Sequence, residues 1–305
     1  MNKIIIEELE KLSSHEKYEG NFFKHKAYEN AIKSLSTYSP EITNVKDILH
    51  LKGIGKGIAD KINQILENKF KPPPPHDFLE DLSKIYGVGF KSAQNLIKQG
   101  ITNFEILKTK QFEVLNDKQR IGLKYYHDLN QRIPHQEMKL HEKLLKSIWI
   151  NHPFQIVGSY RRQENTTGDI DILVPSDDEE ILSKLIFFLK KNKYFKEELA
   201  LGNKKFMGIV ALPHLPARRI DVLWTTPEEY PYALLYFTGS DKYNRNLREY
   251  CLKRGLKLNE KSLIHSKTKI HIPNLNSEEE ILSFLKLPYL EPKDRKDVLK
   301  PSLVN

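Results

Sequence analysis

The sequence predicts a multidomain α and α+β chain, with helical modules first and then a module built on a sheet of short strands. Three features predict it. Apolar residues keep helical spacing as far as Leu129. Short apolar–polar alternations follow Pro134. Two similar Gly-apolar-Gly corners interrupt the helical part.

Residues 1–71 read as helical throughout. Ile4, Ile5, Leu9 and Leu12 repeat at helical intervals, as do Ala27, Ala31, Ile32 and Leu35, and Pro40 ends one helix. Pro72-Pro73-Pro74-Pro75 fits neither a helix interior nor a sheet interior. A stiff extended connector is expected there, closing a first domain over residues 1–75. A second helical stretch covers residues 78–129 and stops at Arg132-Ile133-Pro134, which gives a second helical module over residues 76–134. Strands then appear. Phe154-Gln155-Ile156-Val157 ends at Gly158, Asp169-Ile170-Asp171-Ile172-Leu173-Val174 ends at Pro175, and Arg218-Arg219-Ile220-Asp221-Val222-Leu223-Trp224 ends near Pro227. Residues 181–189 between them read as a helix. These elements make a third module, residues 135–227, and a mixed α+β pattern continues over residues 228–305.

Composition narrows the class. The 305 residues are 39% hydrophobic and 29% charged, the balance of an ordinary globular protein. The formal net charge of +9 means that the chain tends to seek a polyanion. Cys251 has no second cysteine to pair with, so a reducing, intracellular compartment is expected. No apolar run approaches the length of a bilayer span, and acidic residues follow Ile4-Ile5-Ile6 too soon for a signal peptide. A monomer without a membrane partner is expected.

The two corners are Leu51-Lys52-Gly53-Ile54-Gly55 before Ile58-Ala59-Asp60-Lys61-Ile62, and Ile85-Tyr86-Gly87-Val88-Gly89 before Ser92-Ala93-Gln94-Asn95-Leu96-Ile97. Glycine opens backbone conformations closed to other residues. The apolar residue between the glycines should tuck into the helix pair. The second helix then starts with free N–H groups that can hold a phosphate. A single such corner is more often a tight turn between helices. Two copies with the same filling in a basic chain point to a helix-hairpin-helix grip on a DNA backbone.

The strongest motif is Gly158-Ser159-Tyr160-Arg161-Arg162 followed by Gly168-Asp169-Ile170-Asp171. A Gly-Ser turn offers N–H groups and a hydroxyl to phosphate oxygens, and Arg162 adds a charged fork. Asp169 and Asp171, two apart on a strand, share a face, while Ile170 and Ile172 face the core. Asp221 repeats this between Ile220 and Val222. A lone Asp-x-Asp is usually a solvated strand face. Three carboxylates beside a phosphate loop instead suit two Mg²⁺ ions, with Mn²⁺ as a substitute, and nucleotidyl transfer.

Carrying these motifs, the sequence resembles the family X DNA polymerases of the beta type, from about residue 20 to Arg295. Further strings carry the resemblance: Gln119-Arg120-Ile121-Gly122-Leu123-Lys124-Tyr125, Lys205-Phe206-Met207-Gly208, Arg218-Arg219-Ile220-Asp221, Tyr236-Phe237-Thr238-Gly239-Ser240-Asp241 and Glu291-Pro292-Lys293-Asp294-Arg295. The resemblance implies a lyase domain, a thumb-like DNA-binding subdomain, a catalytic palm and a nucleotide-selecting subdomain, in that order. It implies Asp169, Asp171 and Asp221 as metal ligands. It puts Arg132, Ser159, Arg162 and Gly168 on the incoming triphosphate, with Tyr236, Phe237 and Gly239 beside the sugar. Asp241 and Asn244 would meet the base, and Arg248 the template in the minor groove. DNA contacts are implied for Lys24, Tyr28, Arg219 and the hairpin glycines Gly53, Gly55, Gly87 and Gly89, with a monovalent cation at the hairpins.

Lys61 matches the family's Schiff-base nucleophile. It lies at the edge of the stripe Ile58, Ile62, Ile65 and Leu66, where partial burial and neighbouring lysines would make a neutral amine available. Without the resemblance a snorkelling surface lysine is the plainer reading. The sequence also departs from the family. Phe23 stands in place of a histidine and Gly57 in place of a pocket lysine, with Lys56 adjacent. Leu223 replaces an arginine that competes for the second carboxylate in the open enzyme. Lys261, beside Glu260, replaces a tyrosine near the template-side contacts.

The expected activity is template-directed gap filling in base excision repair on gapped or nicked DNA with deoxynucleoside triphosphates, with 5′-deoxyribose-phosphate lyase activity through Lys61. Two other classes compete. A template-independent or low-fidelity nucleotidyltransferase would extend a lone single strand. A non-catalytic helix-hairpin-helix DNA-binding protein would lack the carboxylates and the Gly-Ser turn.

Overall fold

A computed structural model describes residues 2–72, 77–272 and 275–295. The chain forms two compact units, Met1–Arg120 and Ile121–Asn305.

The first unit is helical. Helices α1 (Asn2–Tyr18) and α2 (Phe22–Ser36) are followed by a 3-10 turn at Val45–Ile48 and by α3 (Lys56–Leu66). Ile5 and Leu9 of α1, Ala31 and Leu35 of α2 and Ile58, Ile62 and Ile65 of α3 meet in one core, as their spacing requires. Residues 1–71 are nevertheless not helical throughout. Helix α2 ends at Ser36, before Pro40, because the Thr37 hydroxyl and backbone N–H both turn back to the Ser34 carbonyl. Of the tetraproline, residues 73–75 lie outside the described residues. Next come α4 (Asp77–Ser83), α5 (Phe90–Lys98) and α6 (Phe104–Val114), the last capped by the Asn103 side chain, which accepts from the Ile106 N–H at 2.9 Å. Helix α7 (Asp117–Lys124) crosses the division between the units.

The second unit continues with α8 (Tyr126–Leu129), β1 (Ile133–Pro134), α9 (His135–Ile148), β2 (Gln155–Ile156), α10 (Gly158–Arg161), β3 (Thr166–Thr167) and β4 (Ile170–Pro175). Then follow α11 (Ile181–Lys191), β5 (Phe195–Leu201), β6 (Lys205–Val210), β7 (Arg218–Thr225), α12 (Tyr230–Thr238), α13 (Asp241–Lys253), β8 (Leu256–Leu258), β9 (Leu263–His265) and α14 (Glu278–Phe284). The main sheet has the order β2-β4-β7-β6-β5. Strands β4 and β7 are parallel, and the other pairs of the sheet are antiparallel.

Alternation decides what each face of the sheet meets. Ile170 and Ile172 of β4 and Ile220 and Val222 of β7 are buried against Leu145 of α9, Trp149 at its end and Leu182, Leu185 and Leu189 of α11. On the opposite face, Leu173 packs with Val157 and with Ala233 of α12. A further core gathers Tyr243, Leu247 and Cys251 of α13 with Ile281 and Leu282 of α14. Beneath the sheet, Arg218 grips Glu137 with two nitrogens at 2.6 and 2.9 Å. His141 Nδ1 lies 2.5 Å from the Tyr194 hydroxyl, and burial pushes the His141 imidazole down to about 4.

Candidate active site

The site starts with strand register. Strands β4 and β7 align Asp171 with Asp221, while Ile170 and Ile172 stand beside Ile220 and Val222 in the core. Residues paired across neighbouring strands share a face, so the core that buries the isoleucines holds the aspartates outward together. One carboxylate oxygen from each of Asp169, Asp171 and Asp221 lies within 4.8 Å of the others. These three groups could bind metal.

Charge shapes the site further. Burial first, then the carboxylates of Asp169 and Asp221, push the Asp171 carboxyl up to about 7. Arg219 pairs with Asp169 through Nη2, and its Nε lies 3.2 Å from Asp221 Oδ1. That second approach is misaligned, so Arg219 Nε and Asp221 Oδ1 are both buried without a hydrogen-bond partner. Lys205 Nζ reaches Asp221 Oδ2 at 2.9 Å. A buried, unsatisfied carboxylate oxygen inside a cluster of hard oxygen donors fits a divalent cation.

Gly158 stands over the cluster. Its φ is +62°, and a Cβ there would collide with the Asp171 carboxylate. The Val157 N–H donates to the Asp171 carbonyl at 2.9 Å, which ties the loop to the strand. The expected Gly-Ser turn does not stop at two residues but runs on as the short helix α10, with Ser159 in its only turn.

The other expected nucleotide positions fall into two groups. Arg132 donates to the Thr166 hydroxyl at 3.1 Å and to its carbonyl at 2.7 Å, and its Nη1 would lie 3.4 Å from a Cβ on Gly168. Arg162 is half-buried and donates to the Thr238 carbonyl at 2.7 Å, with its Nη1 3.2 Å from where a Cβ on Gly239 would sit. Burial pushes the Arg162 guanidinium down from its usual range. Tyr236 and Phe237 meet edge to face at 5.0 Å. Asn244 donates to the Tyr236 carbonyl at 2.6 Å, and the Arg248 guanidinium lies 5.7 Å from the Tyr236 ring centroid. Asp241 is exposed and pairs with Arg245 at 3.1 Å. Arg219, expected on DNA, gives its guanidinium to two of the aspartates.

Sequence reasoning missed several partners. Arg161 donates to the Thr238 hydroxyl at 2.5 Å and clasps Glu278 at 3.0 and 2.8 Å, and Arg295 holds the same Glu278 at 2.6 Å. Arg161 meets Thr238 and Glu278 from 77 and 117 positions away, and Arg295 meets Glu278 from beyond α14, so no local spacing signals these pairs. Lys205 was visible only as part of a matching string.

In the first unit, Ile54 and Val88 are buried between their helices, as the corners require. Gly53 and Gly87 take φ of +93° and +81°, and Gly55 and Gly89 precede α3 and α5 without a side-chain cap. Both helices thus begin with uncapped N–H groups. Lys61 is half-buried, with Nζ 3.5 Å from Gln64 Oε1. Tyr28 is buried and its hydroxyl is pushed up by burial and then by Glu16, which also pairs with Lys24 at 3.4 Å. Among the described residues, no hydrogen bond or ion pair joins Lys61 to Lys24 or Tyr28. Phe23 is 96% exposed.

Comparison with known proteins follows the same order along the chain. A helix-hairpin-helix domain family matches residues 1–69, the fingers domain of DNA polymerase lambda matches 80–130, the DNA polymerase beta palm matches 132–227 and the DNA polymerase beta thumb matches 233–296. The fingers name thus falls on the stretch expected to bind DNA, and the thumb name on the one expected to select nucleotides. DNA polymerase lambda of Rattus norvegicus is 28% identical over 96% of the chain and 56% of that protein's length. DNA polymerase lambda of Arabidopsis thaliana is 29% identical over 88% of the chain and 57% of its own length. DNA nucleotidylexotransferase of Xenopus laevis is 25% identical over 96% of the chain and 68% of its own. The chain therefore spans little more than half the length of the two lambda relatives. No described helix is long and apolar enough to cross a membrane. Helix-hairpin-helix, fingers, palm and thumb matched in sequence order, with the aspartates assembled on the palm sheet, make this chain a DNA polymerase beta-like member of family X.

Proposed function

We propose that the chain is a template-directed DNA polymerase that fills short gaps in base excision repair, and that Lys61 gives it 5′-deoxyribose-phosphate lyase activity. The observation that carries the polymerase reading is the alignment of Asp171 with Asp221, which with Asp169 gathers three carboxylates beside the Gly158 loop. Two Mg²⁺ ions suit this set, with Mn²⁺ as a substitute. Bound there, they would supply the positive charge that favours attack by the primer 3′-hydroxyl and steadies the departing pyrophosphate.

The chain's own residues bind and orient. Arg132, Ser159, Arg162 and Gly168 receive the triphosphate. Tyr236, Phe237 and Gly239 exclude a ribose 2′-hydroxyl, Asp241 and Asn244 meet the base, and Arg248 meets the template. Gly53, Gly55, Gly87 and Gly89 present backbone N–H groups to DNA phosphates, with a monovalent cation at each corner, and Lys24, Tyr28 and Arg219 add contacts. Residues 1–75 act as the lyase domain, 76–134 hold the duplex, 135–227 are the catalytic palm, and 228–305 select the nucleotide. The protein acts as a monomer on gapped or nicked DNA.

The test is extension of a primer in a short gap with matched and mismatched nucleotides, with and without a 5′-deoxyribose phosphate. Templated, Mg²⁺-dependent filling with release of the sugar phosphate is expected. Filling that ignores the template would overturn the reading. Template-independent transfer is the second reading, favoured by the likeness to the nucleotidylexotransferase. Extension of a single strand without template would select it.

A further inference from the structure

We propose that Lys205 is a resident counter-cation of the aspartate cluster. It occupies Asp221 before metal arrives and must withdraw for a divalent ion to bind. The proposal rests on the reading of Asp169, Asp171 and Asp221 as metal ligands.

Sheet geometry puts Lys205 there. It opens β6 and pairs in register with Leu223 on β7. Directly opposed residues share a face, and Leu223 shares that face with Asp221, two positions away. Lys205 is therefore the diagonal neighbour of Asp221, within reach of a long side chain. Its ammonium sits 2.9 Å from Asp221 Oδ2, the oxygen that Arg219 leaves free.

The two cations of the cluster are held differently. Arg219 bridges Asp169 and Asp221 from one guanidinium. Lys205 has a single carboxylate, and its side chain is 44% exposed while that of Asp221 is 9% exposed. A flexible ammonium with one partner and access to solvent is the readier of the two to leave. It also has somewhere to go. Lys205 and Leu223 line a cavity of about 410 Å³ that carries Glu229 and Glu260. An arginine or lysine at position 223 would project into that space, whereas leucine leaves it open. Glu229 is already paired with Lys204 at 3.0 Å, so Glu260 is the carboxylate left for a displaced ammonium.

Competition of this kind is read from metal affinity alone. Mn²⁺ is titrated into the full chain without DNA or nucleotide, and the free ion is followed by electron paramagnetic resonance at fixed ionic strength. Lys205→Met should bind Mn²⁺ roughly three- to tenfold more tightly than the wild type. Lys205→Arg, which keeps the charge, should bind no more tightly than the wild type. Lys204→Met makes the same change of net charge one residue away but leaves Lys205 on Asp221, and should tighten binding clearly less than Lys205→Met. Equal tightening in Lys204→Met and Lys205→Met would reduce the effect to overall charge and overturn the proposal. So would unchanged or weaker binding in Lys205→Met. If Asp221→Asn leaves wild-type Mn²⁺ binding intact, the metal reading itself fails, and the role of Lys205 fails with it.

Discussion

In the unit Ile121–Asn305, Asp171 and Asp221 project from adjacent strands, with Asp169 just before the first, and the flanking isoleucines and valine are completely buried. In the unit Met1–Arg120, Lys61 projects from the rim of one helix and makes a long contact to Gln64 at 3.5 Å. The supports therefore differ in precision. A strand with one buried face can move its outward side chains only by a whole residue, which would drive an aspartate into the core. A helix rim holds a lysine only to within its rotamers. The palm cluster is built before substrate arrives. Around Lys61 no such assembly is present: Lys24 and Tyr28 face Glu16 rather than Lys61.

This contrast can be broken most directly at Asp221. Asp221→Ala should lower nucleotide incorporation by roughly a thousandfold or more, since it removes one of the three carboxylates proposed to hold metal. Circular dichroism should be unchanged, because the side chain lies outside the isoleucine core. Incorporation that survives the change would show that the carboxylate cluster is not the reacting centre.

Lys61→Ala should abolish borohydride trapping of an abasic-site substrate and leave incorporation within about twofold of the wild type. Trapping that persists would move the nucleophile to another lysine. Loss of both activities would mean that the two sites are less separate than their supports suggest.

A third measurement probes the layer beneath the palm sheet. His141 is fully buried, with its imidazole held down to about 4 from an ordinary 6.5. Above about pH 6.5 it is neutral in both folded and unfolded chains. As pH falls from about 6.5 to 4, the unfolded chain gains a proton that the folded one refuses, so stability drops by up to about 3 kcal/mol. His141→Gln should flatten that part of the acid limb. Trp149 and Trp224 both lie in this unit, so their fluorescence in urea at pH 7.5 and pH 5 checks it.

The smallest effect separates the two hairpins. A Cβ on Gly53 would meet Asn30 backbone at 3.2 Å, whereas on Gly87 the nearest atom is the side-chain Cγ of Gln119 at 3.4 Å. Both glycines have positive φ, so alanine is strained at each. Gly53→Ala should cost about 2 kcal/mol and Gly87→Ala about 1 kcal/mol, read as loss of amide-exchange protection in α3 and α5 respectively. Equal losses would mean that the backbone conformation alone sets the penalty.

The sequence made some of this legible and hid the rest for physical reasons. Alternation around Asp169, Asp171 and Asp221 gave both the strands and the outward face, because period two is a local property. The buried Ile54 and Val88 followed from the Gly-apolar-Gly corners in the same way. Pro40 misled, because the Thr37 side chain had already turned the chain. What stayed hidden depends on which strand lies beside which. Lys205 reaches Asp221 only through the β6–β7 register, and Arg161, Glu278 and Arg295 meet across distant helices. The pairing of Arg219 with Asp169 stayed hidden too, because spacing alone gave no reason to see it on its neighbours' carboxylates.

The parallel alignment of β4 with β7 has one more consequence. A slip of a single residue would set Asp171 against Ile220 or Val222, turn a charge into the hydrophobic interior and expose an isoleucine. The error would destabilise the sheet at the same moment that it dismantled the site. A chain that has folded the wrong way here would not persist as a quiet, inactive impostor. It would be a marginal species, open to proteolysis. The charges meant for chemistry also act as the quality control of their own assembly.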